Sequence, residues 1–100
     1  MGVKAYETYV KDGRSVYYDE DNESVLSLPK YPDLEITDEC NPNQFRKYLK
    51  IHQQGKTDYL TFCQHCAETG IKYWLIDLNK MTCTYFTKEN TLVFEEEIPQ

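Results

Sequence analysis

NPNQFRKYLKIHQQGKTDYLTFCQHCAETG, residues 41–70, is the stretch on which the fold turns. Asn41 before Pro42 is a helix start, since Asn accepts from free amides of the first turn and Pro suits the first helical position. Phe45, Tyr48, Leu49 and His52 recur at helical spacing until Gly55 closes the segment. Thr57 then caps a second helix whose apolar face is Tyr59, Phe62, Cys63, Cys66 and Ala67 and whose polar face is Gln64, His65 and Glu68. Gly70 ends it. The stretch predicts two short antiparallel helices over residues 41–69.

Upstream, residues 3–10 and 14–19 are rich in Val, Tyr and Thr and flank Asp12-Gly13, a pair suited to the positive φ of a tight hairpin. A short third strand is expected at 24–28 after the polar turn Asp19-Glu20-Asp21-Asn22. Pro29 and Pro32 hold an irregular connection to about residue 40. Downstream, residues 71–78, 82–87 and 91–96 read as three strands joined by the turns Asn79-Lys80 and Lys88-Glu89-Asn90. The expectation is one α+β domain over 1–100. It has two antiparallel three-stranded meanders, 2–28 and 71–96, joined in one sheet, with the helical pair 41–69 packed on one face.

Laying residues 2–25 over 70–93 without a gap pairs Gly2 with Gly70, Lys4 with Lys72, Tyr17 with Tyr85, Asn22 with Asn90 and Val25 with Val93. Val3/Ile71, Tyr6/Trp74 and Tyr18/Phe86 are similar pairs at the same offset. An internal duplication is therefore expected, in which the second unit carries a helix before Gly70 and the first has no counterpart to it before Gly2.

The chain has 100 residues and a formal net charge of -6, which disfavours nucleic acid as a partner because that affinity comes largely from Lys and Arg against phosphate. No apolar run approaches the about 20 residues that cross a bilayer, and the start carries no apolar leader, so a cytoplasmic protein without membrane association is expected. In that reducing setting Cys40, Cys63, Cys66 and Cys83 are expected to be free thiols, mostly core.

The polar groups of the helix connection, His52, Gln54, Thr57 and Asp58, together with Cys63, are the candidate binding residues. Capping of the second helix by Thr57 or Asp58 and the favourable placement of His52 at a helix C-terminus explain the same residues structurally. Cys63-Gln-His-Cys66 has the spacing of half a zinc site. On a helix, however, both thiols share the apolar face and His65 points elsewhere, so neither metal nor cofactor is expected. A His52/Cys63 nucleophile is the enzymatic alternative, weakened by a thiol on an apolar face and by the lack of an oxyanion loop. No catalytic residue is assigned. Tyr6, Tyr9, Tyr17, Tyr18, Tyr73, Trp74 and Tyr85 are expected mainly to pack the sheet, and any that stay exposed suit a protein partner or a homodimer.

The stretch from His52 to Cys63, with Ala67-Glu-Thr-Gly-Ile71 and Trp74-Leu-Ile-Asp-Leu-Asn-Lys-Met-Thr-Cys-Thr-Tyr85, resembles an uncharacterised bacterial and prophage family, domain of unknown function 1398. Its members are often labelled phage envelope protein. The resemblance implies a bacterial, often phage-derived origin and brings no activity, cofactor or catalytic residue with it. It also implies a further helical segment before the position of Gly2. The function expected is a small non-enzymatic interaction module. The alternative is a small-molecule or metal-binding protein or a minor enzyme centred on His52, Asp58 and Cys63.

Overall fold

The computed structural model describes residues 3–19 and 24–98. Strands β1 (Val3–Tyr9), β2 (Ser15–Asp19) and β3 (Ser24–Leu26) are followed by helices α1 (Pro42–Gln53) and α2 (Tyr59–Glu68) and by strands β4 (Tyr73–Asp77), β5 (Thr82–Phe86) and β6 (Leu92–Glu97). The six strands form one antiparallel sheet in the order β3-β2-β1-β4-β5-β6, so the molecule is α+β.

The turns follow from their residues. Gly13 has φ 77° and donates its amide to the Tyr9 carbonyl, closing the first hairpin. Asp77 Oδ1 accepts from the amides of Asn79 and Lys80, an Asx turn, and Asn90 takes φ 64° in the last turn. The expected turn at Asp19-Glu20-Asp21-Asn22 lies largely outside the described residues.

Asn41 caps α1, its Oδ1 accepting from the Gln44 amide at 3.2 Å. The cap of α2 is Asp58 and not Thr57: Asp58 Oδ1 accepts from the Thr61 amide at 2.8 Å. The short Asp side chain one position later reaches the third helical amide, which leaves Thr57 free for His52. Gly70 closes α2 at φ 85°, and a Cβ there would stand 2.7 Å from the Glu39 carbonyl oxygen. A glycine is therefore required twice over, by backbone angle and by the close passage of the 39–40 segment.

Both helices lie on one face of the sheet. Alternation along the strands puts Tyr6, Thr8, Ser15, Tyr17, Trp74, Ile76, Cys83 and Tyr85 on that inner face, because the registers pair Tyr6 with Tyr17 and Ile76, and Trp74 with Thr8 and Tyr85. The core is Phe45 and Leu49 from α1 and Phe62, Cys63, Cys66 and Ala67 from α2, closed over Val10, Ile71, Trp74, Cys83 and Tyr85. Ile36 from the irregular connection completes it. The outer face carries Tyr9, Tyr73 and Phe86, whose rings follow one another at 5.6 and 4.9 Å between centroids. Glu7 on that face accepts from the hydroxyls of Tyr18 and Tyr9. Burial, and then that carboxylate, push the Tyr9 hydroxyl up to about 12.

Candidate functional site

His52 sits in the last turn of α1 with its ring stacked on Phe62 of α2, 4.4 Å between centroids. Its Nδ1 lies 3.1 Å from both the carbonyl oxygen and the Oγ1 of Thr57. A carbonyl only accepts, so this contact places a ring proton on Nδ1. The chain reversal at Gly55, with φ 77° and open space around it, is what lets residue 57 return to residue 52.

The structure brings His52, Thr57 and Asp58 together and leaves the other candidates apart. Asp58 is held below its ordinary carboxylate range by the hydrogen bonds from Thr61, with a smaller contribution from His52. Gln54 forms the exposed C-cap of α1. Cys63 is fully buried on the other flank of α2, where Tyr31 and Tyr59 are its polar neighbours, and burial pushes its thiol up. It does not line the cleft that His52 lines. Cys66 and Cys83 are also buried with raised thiols, Cys83 to about 11. Among the described residues no three His, Cys, Asp or Glu side chains are grouped to hold a metal ion. His65, expected on the polar face, is half-buried and stacks on Tyr48 at 3.7 Å.

A feature not anticipated from the sequence is a cleft of 770 Å³ between the helix pair and the inner sheet face. Tyr6, Trp74, Ile76 and Tyr85 form its floor, and Leu49, His52, Tyr59 and Phe62 its helical wall. Its charged side chains are Glu96 and Glu97, with no Lys or Arg among the lining. Glu96 faces inward beside Cys83 in the register of β5 and β6, and its carboxylate accepts from Gln53 Nε2 at 2.9 Å and from the Tyr85 hydroxyl at 3.2 Å. The signal was present in the sequence as Glu96 at an inward strand position, hidden within the run Glu95-Glu96-Glu97 that reads as a solvated strand end. A smaller concavity of 360 Å³ adjoins the cleft and shares Tyr6, Tyr59 and Trp74 with it.

Burial across the inner face is uneven. Near α2, Val10 and Ile71 are 0% exposed, Trp74 7% and Tyr85 5%. Toward β2 and the far end of β4, Tyr6 and Tyr17 are half-buried and Leu78 is 38% exposed, and Val3, beyond the register shift between Val3 and Ala5, is 41% exposed. Tyr6 and Tyr17 pack against each other with centroids 5.3 Å apart. No helix in the described residues is long and apolar enough to cross a membrane.

These features define a two-layer α+β protein with an aromatic, acid-edged cleft between its layers. The chain belongs to the family described as protein of unknown function (DUF1398), which matches residues 1–97. It is also 26% identical over 65 residues to the uncharacterized protein YcgX of Escherichia coli (strain K12), an overlap of 65% of this chain and 48% of that protein. The chain thus spans about half the length of this curated relative. No activity comes with either match.

Proposed function

We propose that the protein is a small non-enzymatic interaction module, of bacterial or prophage origin, whose working surface is the open half of the inner sheet face. The observation that carries this reading is unequal burial at equivalent positions. Under the alignment of 2–25 on 70–93, Val3, Tyr6 and Tyr17 correspond to Ile71, Trp74 and Tyr85, and Leu78 corresponds to Val10. Every member of the second set is buried and every member of the first is partly open.

The strand registers support the duplication on which that correspondence rests. Tyr6 pairs with Tyr17 as Trp74 pairs with Tyr85. The central pairing of β1 with β4 maps onto itself when the two units are exchanged: Tyr6 faces Ile76, and Thr8 faces Trp74. A local two-fold axis of this kind stands perpendicular to the sheet and keeps each face on its own side. Apolar positions left open on a face that is covered elsewhere are the usual mark of a docking surface.

The test is affinity capture from a bacterial host lysate, read by mass spectrometry. A protein held by the native chain should be lost with Leu78→Glu or Val3→Glu and kept with Leu28→Glu, which lies on an exposed connection away from the patch. Capture indifferent to all three substitutions overturns the reading. Sedimentation of the same variants distinguishes a second copy of the chain, the homodimer, from a different partner.

A second reading, a small-molecule site, is supported by the cleft volume and by the convergence of His52, Gln53 and Glu96 on it. It is centred on His52 and Glu96 rather than on Cys63. Loss of a bound small molecule in His52→Ala with lysate capture unchanged would favour it.

A further inference from the structure

We propose that the occupant of the open half is an amphipathic helix with Lys or Arg along one edge, an inference that rests on the interaction surface argued above. The chain itself shows how this sheet is covered. In the second unit α2 runs directly into Gly70 and β4, and its Phe62, Cys63, Cys66 and Ala67 are buried over the half that holds Val10, Ile71, Trp74 and Tyr85. Exchange of the two units about the β1/β4 axis carries that helix to Val3, Tyr6, Tyr17 and Leu78 without changing the face. That position is concave: the 770 Å³ cleft and the 360 Å³ concavity meet there and share Tyr6, Tyr59 and Trp74.

Charge selects among helices. The edge of this position toward the larger cleft presents Glu96 and Glu97, while Lys30 lines the smaller concavity on the other side, so a helix whose edge toward the cleft is basic is complementary and one acidic along that edge is repelled. A flat strand would add instead at β3 or β6, the sheet edges, and would leave Tyr6 and Leu78 as open as they are.

The experiment places a copy of the sequence of residues 58–69 directly in front of Gly2 of the full chain, as the original stands in front of Gly70. The extended chain should melt at least ~5–10 °C above the native one. The gain should vanish when the copied Phe62, Cys63 and Cys66 are all Gln, and also when Leu78→Glu is introduced. Copies with Lys in place of Gln64 and Glu68 should melt higher at low salt than copies with Glu at both, the difference closing as salt is raised. No gain from the extension overturns the helix, and an equal melt for Lys and Glu copies overturns the basic edge. Either result would leave the interaction surface standing if lysate capture still depended on Leu78 and Val3. Failure of both the extension and the capture dependence would remove the surface itself.

Discussion

The two ends of the inner sheet face each carry a pair of aromatic rings and are finished differently. At one, Trp74 and Tyr85 lie under Phe45, Phe62 and the rest of the helical layer, and at the other Tyr6 and Tyr17 rest largely on each other. A strand pattern therefore does not by itself make a core; the layer above it does. The closed half holds the buried core, and the open half keeps its side chains in contact with water.

The largest test of that contrast substitutes counterpart aromatics. Trp74→Ala should cost about 3–5 kcal/mol, as expected for a large buried ring whose neighbours on α2 and β5 cannot collapse into the space. Tyr6→Ala should cost about 1–2 kcal/mol, since its side chain is only half-buried. Chemical denaturation of both variants measures the gap. Comparable losses would mean that the two halves share one core.

Alkali should act on the closed half next. Burial raises Cys63, Cys66, Cys83 and Tyr85, with Cys83 reaching about 11. Above the pH at which an exposed thiol ionises, about 8.5, the folded chain then holds more protons than the unfolded one, so stability falls as pH rises. The melting temperature should be insensitive to these groups below pH 8 and drop from about pH 9 to 11. Cys83→Ala and Cys66→Ala should each flatten that drop.

The junction that holds the covering helix gives smaller effects. His52→Ala should cost about 0.5–1.5 kcal/mol by removing the contact to Thr57 and the stacking on Phe62. Asp58→Ala should lower the melting temperature by a few degrees through loss of the α2 cap. Because Asp58 is held below its ordinary range, its contribution is present at neutral pH and disappears as the carboxylate is protonated in acid. If either variant kept full stability yet lost a bound partner, the junction would belong to the binding surface.

Much of this was legible in the sequence for local reasons. Asn41-Pro42, Asp12-Gly13 and Gly70 act through backbone geometry that depends on few neighbours, and the elements they bound fall within a residue or two of the expected positions. The cap at Asp58 rather than Thr57 was not legible, since adjacent Thr and Asp both suit the position and His52, returning across Gly55, decides between them. The cleft was invisible for a different reason. It is made by Tyr6, His52, Trp74 and Glu96, which are far apart in the chain and meet only through the order β1-β4-β5-β6. Cys63 looked like a partner for His52 because they lie on neighbouring helices, but helical phase turns the thiol to Tyr31 and the imidazole to the cleft.

The smallest expected effect is also the most discriminating. Val10 directly follows β1 and Leu78 directly follows β4, and each amide is tied to the neighbouring segment, Val10 to the Lys72 carbonyl and Leu78 to the Lys4 carbonyl, both at 2.9 Å. Backbone context is thus matched, and only the covering layer differs. Val10 is sealed beneath Tyr31, whose hydroxyl donates to the Val10 carbonyl, whereas Leu78 forms part of the cleft rim. Val10→Ser should cost about 2–4 kcal/mol, from lost burial and an added hydroxyl lacking an assured partner. Leu78→Ser should cost about 0.5 kcal/mol or less in the native chain, because Leu78 keeps contact with water in the folded state. With the added helix in front of Gly2 the same substitution should become markedly more costly, while the cost of Val10→Ser should stay where it was. A Leu78→Ser penalty that is large in the native chain, or unchanged by the extension, would show that the rim is already covered.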